Sequence, residues 1–451
     1  MRFCPPAWFV VPVALALAAC GGSPTSSPGL PQSNAANASP SHLRHAASSP
    51  ITHIVIIFQE NRTPDYLFQG VPGADIATTA VDSYGDTVQL QPISLTAAYD
   101  LSHGRGAFID DYANGKMTGF DKKLPKKFHL RPFGYAPRSE VKPYYIMATN
   151  YVFADRMFQT NQSGSFPAHQ YMVSGTSSAL PTTSDDASSN GMNSKHVGKP
   201  APVGCDAPSV SFVETIDPAN GKAGPNAFPC FERPVLSDLL DTAGISWRYY
   251  QHDLGVGLWH AMDAISHVRY GPDYANVVTP SQAILTDISK GRLSGVSWVM
   301  PPSDEYSDHS GSRSKKGPAW VSAVVNAVGQ SRYWNSTAIF IAWDDWGGWY
   351  DHVAPPQYNA YELGFRVPLV VVSPYAKKGY VSHVQHEFGS ILKFAEETFD
   401  LGSLQTTDQR ADDLMDAFDF NQNPRKFVPI PAPPFRPSSD TLPGSPNAED
   451  P

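Results

Sequence analysis

The chain has 451 residues and a formal net charge of −9, with 41% hydrophobic, 12% aromatic and only 17% charged residues. This composition excludes a highly charged disordered chain, and the negative charge argues against nucleic acid as a partner, because phosphate backbones are bound through clustered lysine and arginine. The 42 prolines make up about 9% of the chain, against roughly 5% in ordinary proteins, and most of this excess lies near the two ends.

The amino terminus predicts export and a lipid anchor. Residues 1–19 contain Arg2 and then an apolar stretch over 7–19, which is too short to span a bilayer of about 30 Å and is typical of a signal peptide. The following Cys20 completes a segment that resembles a bacterial lipobox, in which the cysteine is lipidated. An ordinary cleavage site with an incidental cysteine is the alternative. We expect a protein anchored through lipidated Cys20 in the bacterial cell envelope.

Two segments poor in large apolar residues are expected to flank one folded body. Residues 20–50 predict a disordered tether, and residues 421–451 predict a proline-rich carboxy-terminal tail. The folded domain is then expected to cover residues 51–420. Because an exported domain meets an oxidising environment, Cys205 and Cys230 are predicted to form a disulfide.

The apolar runs of the body are typical of strands that are covered on both faces of a parallel sheet: residues 54–58, 296–300, 338–343 and 367–372. The segments between them are long enough for helical crossovers, and helices are predicted at 141–158, 318–330 and 387–400. The pattern predicts an α/β fold with an open, mostly parallel central sheet.

Ligands of such sheets collect beyond the carboxyl ends of the strands. Glu60 and Asn61 follow the first run, and Asp344 and Asp345 follow the third. Adjacent carboxylates at the end of an apolar strand are costly unless a cation or hydrogen bonds compensate them, so an oxygen-rich metal site fits. For each pair, a turn or a helix cap is the alternative.

Several segments resemble one known family, in the order in which that family carries them: residues 54–63, 155–158, 163–171, 307–309 and 343–353. Across residues 51–402 the chain is similar to the bacterial phosphoesterase family that contains phosphatidylcholine-hydrolysing phospholipases C and a group of acid phosphatases. The resemblance implies the doubly wound α/β fold of the alkaline-phosphatase-like superfamily, with helices on both faces and loop insertions. It also implies hydrolysis through a covalent phosphorylated residue.

The resemblance implies a nucleophile and a metal site. Ser165 would be the nucleophile, and it would hold one divalent metal ion, of a kind that the sequence leaves open, together with Glu60, Asn61, Asp344 and Asp345. Coordination to a cation would lower the pKa of the serine hydroxyl and polarise a phosphoryl oxygen.

Histidines complete the implied site. Together with Asn61, His103 and His309 match family positions that contact the substrate phosphate, and one of these histidines would protonate the leaving alcohol. His267 matches a third such position less closely. The remaining candidates are expected to be supporting or structural: His169, His352, His383 and His386.

The expected function is hydrolysis of a phosphate ester with a metal ion and a phosphoserine intermediate. Phospholipases C of the family usually carry further carboxy-terminal β-rich domains, so an acid-phosphatase-type monoesterase is expected first and a phospholipase C cleaving phosphocholine lipids second. A sulfatase is disfavoured, because His169 stands where the sulfatase signature needs arginine. A surface lipoprotein that uses the fold for binding without turnover is the non-enzymatic alternative. The sequence predicts no oligomeric state.

Overall fold

The computed structural model describes residues 49–180, 183–196 and 199–436. The predicted signal peptide, Cys20, nearly all of the predicted tether and the end of the predicted tail lie outside these residues. The strands of the described part are β1 His53–Gln59, β2 Thr79–Val81, β3 Thr87–Gln89, β4 Gln91–Pro92, β5 Gly134–Tyr135, β6 Val152–Ala154, β7 Asp186–Ala187, β8 Met192–Asn193, β9 Ser211–Phe212, β10 Thr215–Ile216, β11 Trp247–Tyr250, β12 Val277–Val278, β13 Val296–Val299, β14 Thr337–Trp343, β15 Leu369–Val372 and β16 Tyr380–Ser382. Its α-helices are α1 Pro64–Leu67, α2 Arg105–Tyr112, α3 Arg138–Asn150, α4 Ser165–Ser174, α5 Leu236–Thr242, α6 Ser266–Tyr270, α7 Ala283–Ser289, α8 Gly317–Gly329 and α9 Phe388–Phe399.

Eight of these strands form one central sheet, in the order β12-β11-β13-β1-β14-β15-β6-β16. Every residue of β14 is buried, and so is every residue of β1 after His53. Two groups of helices pack among themselves: α3 and α7 against α8, and α5 and α9 against α4. The predicted α/β fold with a mostly parallel central sheet is confirmed.

One strand of this sheet runs against the others. β15 pairs antiparallel with both β14 and β6, whereas the remaining pairs of the sheet are parallel. The segment 344–368 between β14 and β15 contains no helix. Parallel neighbours are usually joined by a crossover that contains a helix. Without such a helix, the chain returns beside β14 in the opposite direction. The run 367–372 was therefore a correct strand prediction without the helical crossover expected before it.

One predicted helix differs from the structure at both ends. α8 and α9 lie within one residue of the predicted bounds, but α3 begins at Arg138 and not at residue 141, and it ends at Asn150 and not at residue 158. The residues directly after it form β6, which is fully buried between β15 and β16. A short apolar run such as 152–154 fits a helix or a buried strand equally well. Pairing with β15 and β16 on its two sides makes it a strand here.

The carboxy-terminal boundary also differs from the predicted one. Residues 421–436 are extended, as their prolines suggest, but they pack on the body instead of leaving it at residue 420. Ile430 is buried, and its backbone N–H and C=O both pair with the side chain of Asn326 on α8. Phe435 packs on Trp320 with ring centroids 4.9 Å apart. Alternating apolar residues among the prolines allow this segment to bind along the outside of α8.

Two further features bear on the sequence predictions. Cys205 and Cys230 form the predicted disulfide. None of the described helices combines the length and the apolar character that crossing a bilayer requires.

Candidate active site

Two adjacent parallel strands bring the acidic residues together. β1 and β14 pair in register, with Gln59 opposite Trp343 at their carboxyl ends. Because both strands end at the same edge of the sheet, the residues that follow them lie close together there. All of them are fully buried: Glu60, Asn61, Asp344 and Asp345.

Asn61 links the two strand ends. Its backbone N–H donates to Asp344 Oδ1 over 2.8 Å, and its side-chain Nδ2 donates to Asp345 Oδ1 over 3.3 Å. Asn61 has a φ of 58°, a left-handed conformation that asparagine adopts more readily than most residues other than glycine.

Ser165 lies at the first position of α4, directly after Gly164. Its Oγ donates a hydrogen bond to Asp345 Oδ2 over 3.2 Å. The helix start has no side-chain cap from Gly164, although Phe166 N–H donates to Asn190 Oδ1 over 2.9 Å. Amide groups at a helix start carry partial positive charge. The serine oxygen therefore sits where negative charge that develops on it is stabilised.

His169 lies one turn after Ser165 on the same face of α4, because residues four apart are stacked on a helix. Its Nε2 lies 3.1 Å from Glu60 Oε1 and 3.8 Å from Asp344 Oδ2. Burial lowers the pKa of His169 to about 4, against the opposing effect of Asp344, so the ring is neutral at physiological pH. Glu60, His169 and Asp344 offer three ligand atoms within 4.8 Å of one another, a group that could hold a metal ion.

The buried oxygens at this site fit a divalent cation. Asn61 Oδ1 and Asp344 Oδ2 are buried and accept no hydrogen bond from the described residues. Leaving such atoms unpaired costs free energy, and neighbouring carboxylates disfavour one another's charged forms. A bound cation would remove both costs. Carboxylate and amide oxygens suit Mg, Ca or Mn.

His103 and His309 lie on the other side of Asn61. Asn61 Nδ2 donates to His103 Nε2 over 3.0 Å, while His103 Nδ1 donates to the carbonyl of Leu101 over 2.6 Å. The ring centroids of His103 and His309 are 6.1 Å apart. His309 Nδ1 donates to the carbonyl of Ser310 over 2.6 Å, so both rings are oriented by backbone oxygens. His103 therefore lies beside Asn61, and His309 lies beside His103.

The structure does not bring His267 into this cluster. It lies on α6, where its Nδ1 is 2.7 Å from Glu232 Oε1 and its Nε2 is 3.0 Å from Asp238 Oδ1. Both ring nitrogens are thus engaged by carboxylates of a surface ion pair. This position does not support a role for His267 in binding substrate phosphate, because both ring nitrogens face carboxylates, which would repel a phosphate.

The other predicted histidines belong to ion networks outside the cluster. His352 lies between Asp65 and Asp75, at 2.8 and 3.0 Å. His383 Nδ1 is 2.9 Å from Asp155 Oδ1. His386 Nδ1 is 3.0 Å from Asp412 Oδ1. Only His169, of the four that the sequence left as supporting or structural, contacts the acidic cluster. Its position four residues after Ser165 in a helix is the signal that could have indicated this.

A cavity of about 690 Å³ opens beside the cluster and is lined by His103, Ser163 and Gly164. Its charged lining residues are Asp100, Arg105, Lys123, Lys199 and Glu214. Arg105 donates to Gln162 Oε1 and to the carbonyl of Ala360, and it makes no ion pair with a carboxylate of the described chain. No Phe, Tyr or Trp is among the described residues that line the cavity. The aromatic cage that a choline group would favour is therefore not formed by these walls.

Comparison with known proteins identifies the family. A family model described as Phosphoesterase family matches residues 51–402. The chain belongs to the Phosphoesterase family. This confirms the predicted relationship, and the match spans β1 to α9, with every residue of the acidic cluster inside it.

Several similar curated proteins are bacterial phospholipases C. The non-hemolytic phospholipase C of Pseudomonas aeruginosa is 26% identical, with 89% of this chain and 62% of that protein covered. The non-hemolytic phospholipase C of Burkholderia pseudomallei is 25% identical, with 80% of this chain and 57% of that protein covered. Phospholipase C A of Mycobacterium tuberculosis is 24% identical, with 86% of this chain and 80% of that protein covered. The chain spans less than two thirds of the length of the first two. These matches support a hydrolase that acts on phosphoric esters.

Solved structures give weaker likenesses. Murine ectonucleotide pyrophosphatase / phosphodiesterase 5 in complex with AMP has a TM-score of 0.40 and 8% identity, covering 82% of this chain and 100% of that chain. The lipoteichoic acid synthase LtaP from Listeria monocytogenes has a TM-score of 0.35 and 8% identity, covering 80% and 74%.

Proposed function

We propose that the chain is a metal-dependent phosphoric ester hydrolase of the phospholipase C type, with Ser165 as its nucleophile. The observation that carries this proposal is the hydrogen bond from Ser165 Oγ to Asp345 Oδ2 at the start of α4. It places a serine oxygen against a buried carboxylate cluster, at a helix end that favours negative charge. This pairing of nucleophile and activating group is the arrangement that covalent catalysis by serine requires.

The metal would be held by oxygens of Glu60, Asn61, Asp344, Asp345 and Ser165. A divalent cation bound there would lower the pKa of the serine hydroxyl and polarise a phosphoryl oxygen. His169 would support this set by donating from Nε2 to Glu60 Oε1, at the 3.1 Å separation of these atoms. Its low pKa keeps the ring uncharged, so it adds no positive charge that would compete with a cation.

The remaining steps belong to the residues around Asn61. Ser165 Oγ gives its proton to Asp345 Oδ2 and forms a bond to phosphorus as the bond from phosphorus to the ester oxygen breaks, and the leaving alcohol takes a proton from the imidazolium of His103 or His309. Water then attacks the phosphorus of the phosphoserine and gives a proton to the neutral imidazole. The serine oxygen leaves and takes its proton back from Asp345. The protonated imidazoles of His103 and His309 would donate to phosphoryl oxygens, whose charge is the main one to be stabilised in such transfers. Asn61 Nδ2 would also donate to a phosphoryl oxygen once His103 Nε2 is protonated and no longer accepts its hydrogen bond.

The relatives favour the phospholipase C alternative over the acid phosphatase that the sequence predicted first. Relatives that match 86–89% of this chain are phospholipases C. The cavity of about 690 Å³ lined by Gly164 and His103 is also of a size that holds a small-molecule ligand. We therefore propose a phosphodiester lipid as substrate and leave its headgroup open, because the described walls provide no aromatic cage for choline.

The test compares p-nitrophenyl phosphorylcholine, a diester, with p-nitrophenyl phosphate, a monoester, across pH and with Mg, Ca, Mn or Zn added after chelation. We expect diester turnover that requires a metal, and its loss in Ser165→Ala with unchanged circular dichroism. Ser289→Ala, an exposed serine at the end of α7, is the matched control and should retain activity. Turnover of the monoester alone would select the phosphatase. Substantial activity in Ser165→Ala would overturn the nucleophile, and failure to bind both metal and vanadate would favour the non-enzymatic alternative.

A further inference from the structure

A basic surface lies next to the candidate active site. It is formed by the outer side of α2, the loop 116–131 and the turn between β2 and β3, and we call it the basic face. The loop contacts the helix directly, since Lys122 and Lys123 both pair with Asp110 on α2. The turn contacts the loop through Ser83, whose backbone N–H and hydroxyl both donate to Asp121.

The exposed charges of this face are nearly all positive. Residues 105–131 hold seven lysines and arginines against three aspartates, in a chain with a net charge of −9. The exposed charged side chains of this stretch are Lys116, Lys122, Lys123, Lys126 and Lys127. Its aspartates do not offset them at the surface, because two are buried and Asp110 is largely covered by its two lysines. Asp86, on the β2–β3 turn, is an exposed carboxylate at the edge of this face.

Large apolar side chains project among these lysines. Ile109 of α2 is 56% exposed, Leu130 is 45% exposed and Tyr84 is 60% exposed. α2 buries Phe108 on its inner side, so Ile109 faces outward with no role in the core. Tyr84 packs against His129, the neighbour of Leu130, with ring centroids 6.0 Å apart. Exposed apolar residues surrounded by lysines are typical of segments that bind at a membrane interface.

The basic face borders the cavity of the candidate active site. Lys123 of the loop is exposed on the face and also lines the cavity, together with Arg105 and Ala107 of α2. The same cavity reaches His103, whose ring contacts Asn61. A molecule held on this face therefore lies beside the cavity that reaches His103 and Gly164, the residue before Ser165.

We propose that the basic face binds the surface of an anionic phospholipid bilayer and holds the cavity entrance against it. The lysines complement the negative surface of the bilayer, and Ile109, Leu130 and Tyr84 enter its interfacial region. The charge pattern selects a lipid surface over an apolar protein partner, because the apolar side chains are separated by lysines and form no continuous hydrophobic patch. This binding does not depend on hydrolysis and is separate from an anchor at Cys20.

Flotation with vesicles tests the proposal. The full chain carries Ser165→Ala to prevent turnover and Cys20→Ala to remove the predicted lipid attachment. Binding is compared on vesicles of phosphatidylcholine and on vesicles in which part of it is replaced by phosphatidylglycerol, at low and high salt. We expect binding that needs the anionic lipid and weakens as salt rises.

Two variants locate the binding surface. Replacing Lys116, Lys126 and Lys127 by Gln should weaken binding to anionic vesicles about 100-fold, because each lysine near such a surface strengthens binding roughly fivefold. The matched control replaces exposed lysines elsewhere, Lys290, Lys378 and Lys426, by Gln. A further pair compares Ile109→Ser and Leu130→Ser with Leu254→Ser and Val428→Ser, which are exposed away from this face.

Equal losses in the basic-face and control variants would overturn the proposal, and so would equal binding to vesicles with and without phosphatidylglycerol. Because these measurements use a chain without the nucleophile, they stand apart from the proposed function. Selective vesicle binding without diester turnover in the active chain would support this surface and contradict the proposed hydrolase. Turnover of a soluble diester without any vesicle binding would support the proposed hydrolase and contradict this surface.

Discussion

Replacing Asp351 by asparagine should destabilise the protein strongly, because its carboxylate neutralises a buried arginine. Arg366 and Asp351 are both fully buried. Asp351 Oδ1 accepts from Arg366 Nε over 2.8 Å and lies 2.7 Å from its Nη2, and Asp351 Oδ2 accepts from the Arg366 backbone N–H over 2.8 Å. Asp65 is farther from the guanidinium, at 3.4 Å, and is shared with His352. It cannot replace the lost charge at the same distance.

The expected loss follows from the burial of the pair. Removing one partner of a buried ion pair leaves an uncompensated charge and costs about 3–5 kcal/mol. The control is Asp206→Asn: Asp206 lies 2.7 Å from Arg269, but the two side chains are 35% and 26% exposed. Such partly exposed pairs contribute about 0–1 kcal/mol. The pair at Asp351 closes the loop that begins with Asp344 and Asp345, so activity should fall as well.

Urea denaturation followed by tryptophan fluorescence measures both variants. The midpoint for Asp351→Asn should fall well below that of the wild type, with an unchanged dependence on urea concentration, whereas Asp206→Asn should unfold close to the wild type. A loss of less than about 1 kcal/mol in Asp351→Asn, equal to that of the control, would refute the reasoning that this pair stabilises the fold.

Three further variants test the site and its surroundings. In Gly347→Ala, the added Cβ would lie 2.3 Å from Asn61 O, and the φ of 62° at residue 347 is one that alanine rarely adopts. Displacement of Asn61 should lower kcat about 100-fold, and a near-normal kcat would contradict this. Arg105→Ala should raise KM for an anionic soluble diester roughly 10-fold while leaving kcat nearly unchanged, since it removes a cavity cation that has no carboxylate partner in the described chain. Burial raises the pKa of Glu396 to about 8, so the stability that its protonated form contributes is present below its ordinary pKa of 4.5 and is lost as pH rises toward 8. Denaturation at pH 5 and pH 8 should therefore show a smaller loss in Glu396→Gln than in the wild type, and equal losses would exclude this role.

Part of the candidate site could be predicted because it follows from strand ends. The apolar runs before Glu60 and Asp344 identify two buried strands, and parallel neighbours bring their next residues to one edge of the sheet. Ser165 has no such signal of its own, since a serine in a loop resembles any other serine. Only its motif pointed to it, and the hydrogen bond to Asp345 is a property of the folded chain.

His267 illustrates the limit of such motif matching. Its segment matches the family only in part, and in the fold its ring contacts the carboxylates of Glu232 and Asp238. His169 illustrates the converse: its direction toward Glu60 depends on the rotation of α4 about its axis. The rotation is set by the packing of α4 against α5 and α9, which contacts distant in sequence decide.

By itself the sequence determined the fold class, four of the eight strands of the central sheet, the disulfide and the acidic residues at the strand ends, because burial patterns and residue chemistry are local properties of the chain. Only the tertiary structure decided the reversed direction of β15, the packing of residues 421–436 on α8 and the joining of α2 to the lysine-rich loop in one basic face. Each of these depends on which surfaces are left open once the central sheet has formed, and that is a property of the whole domain.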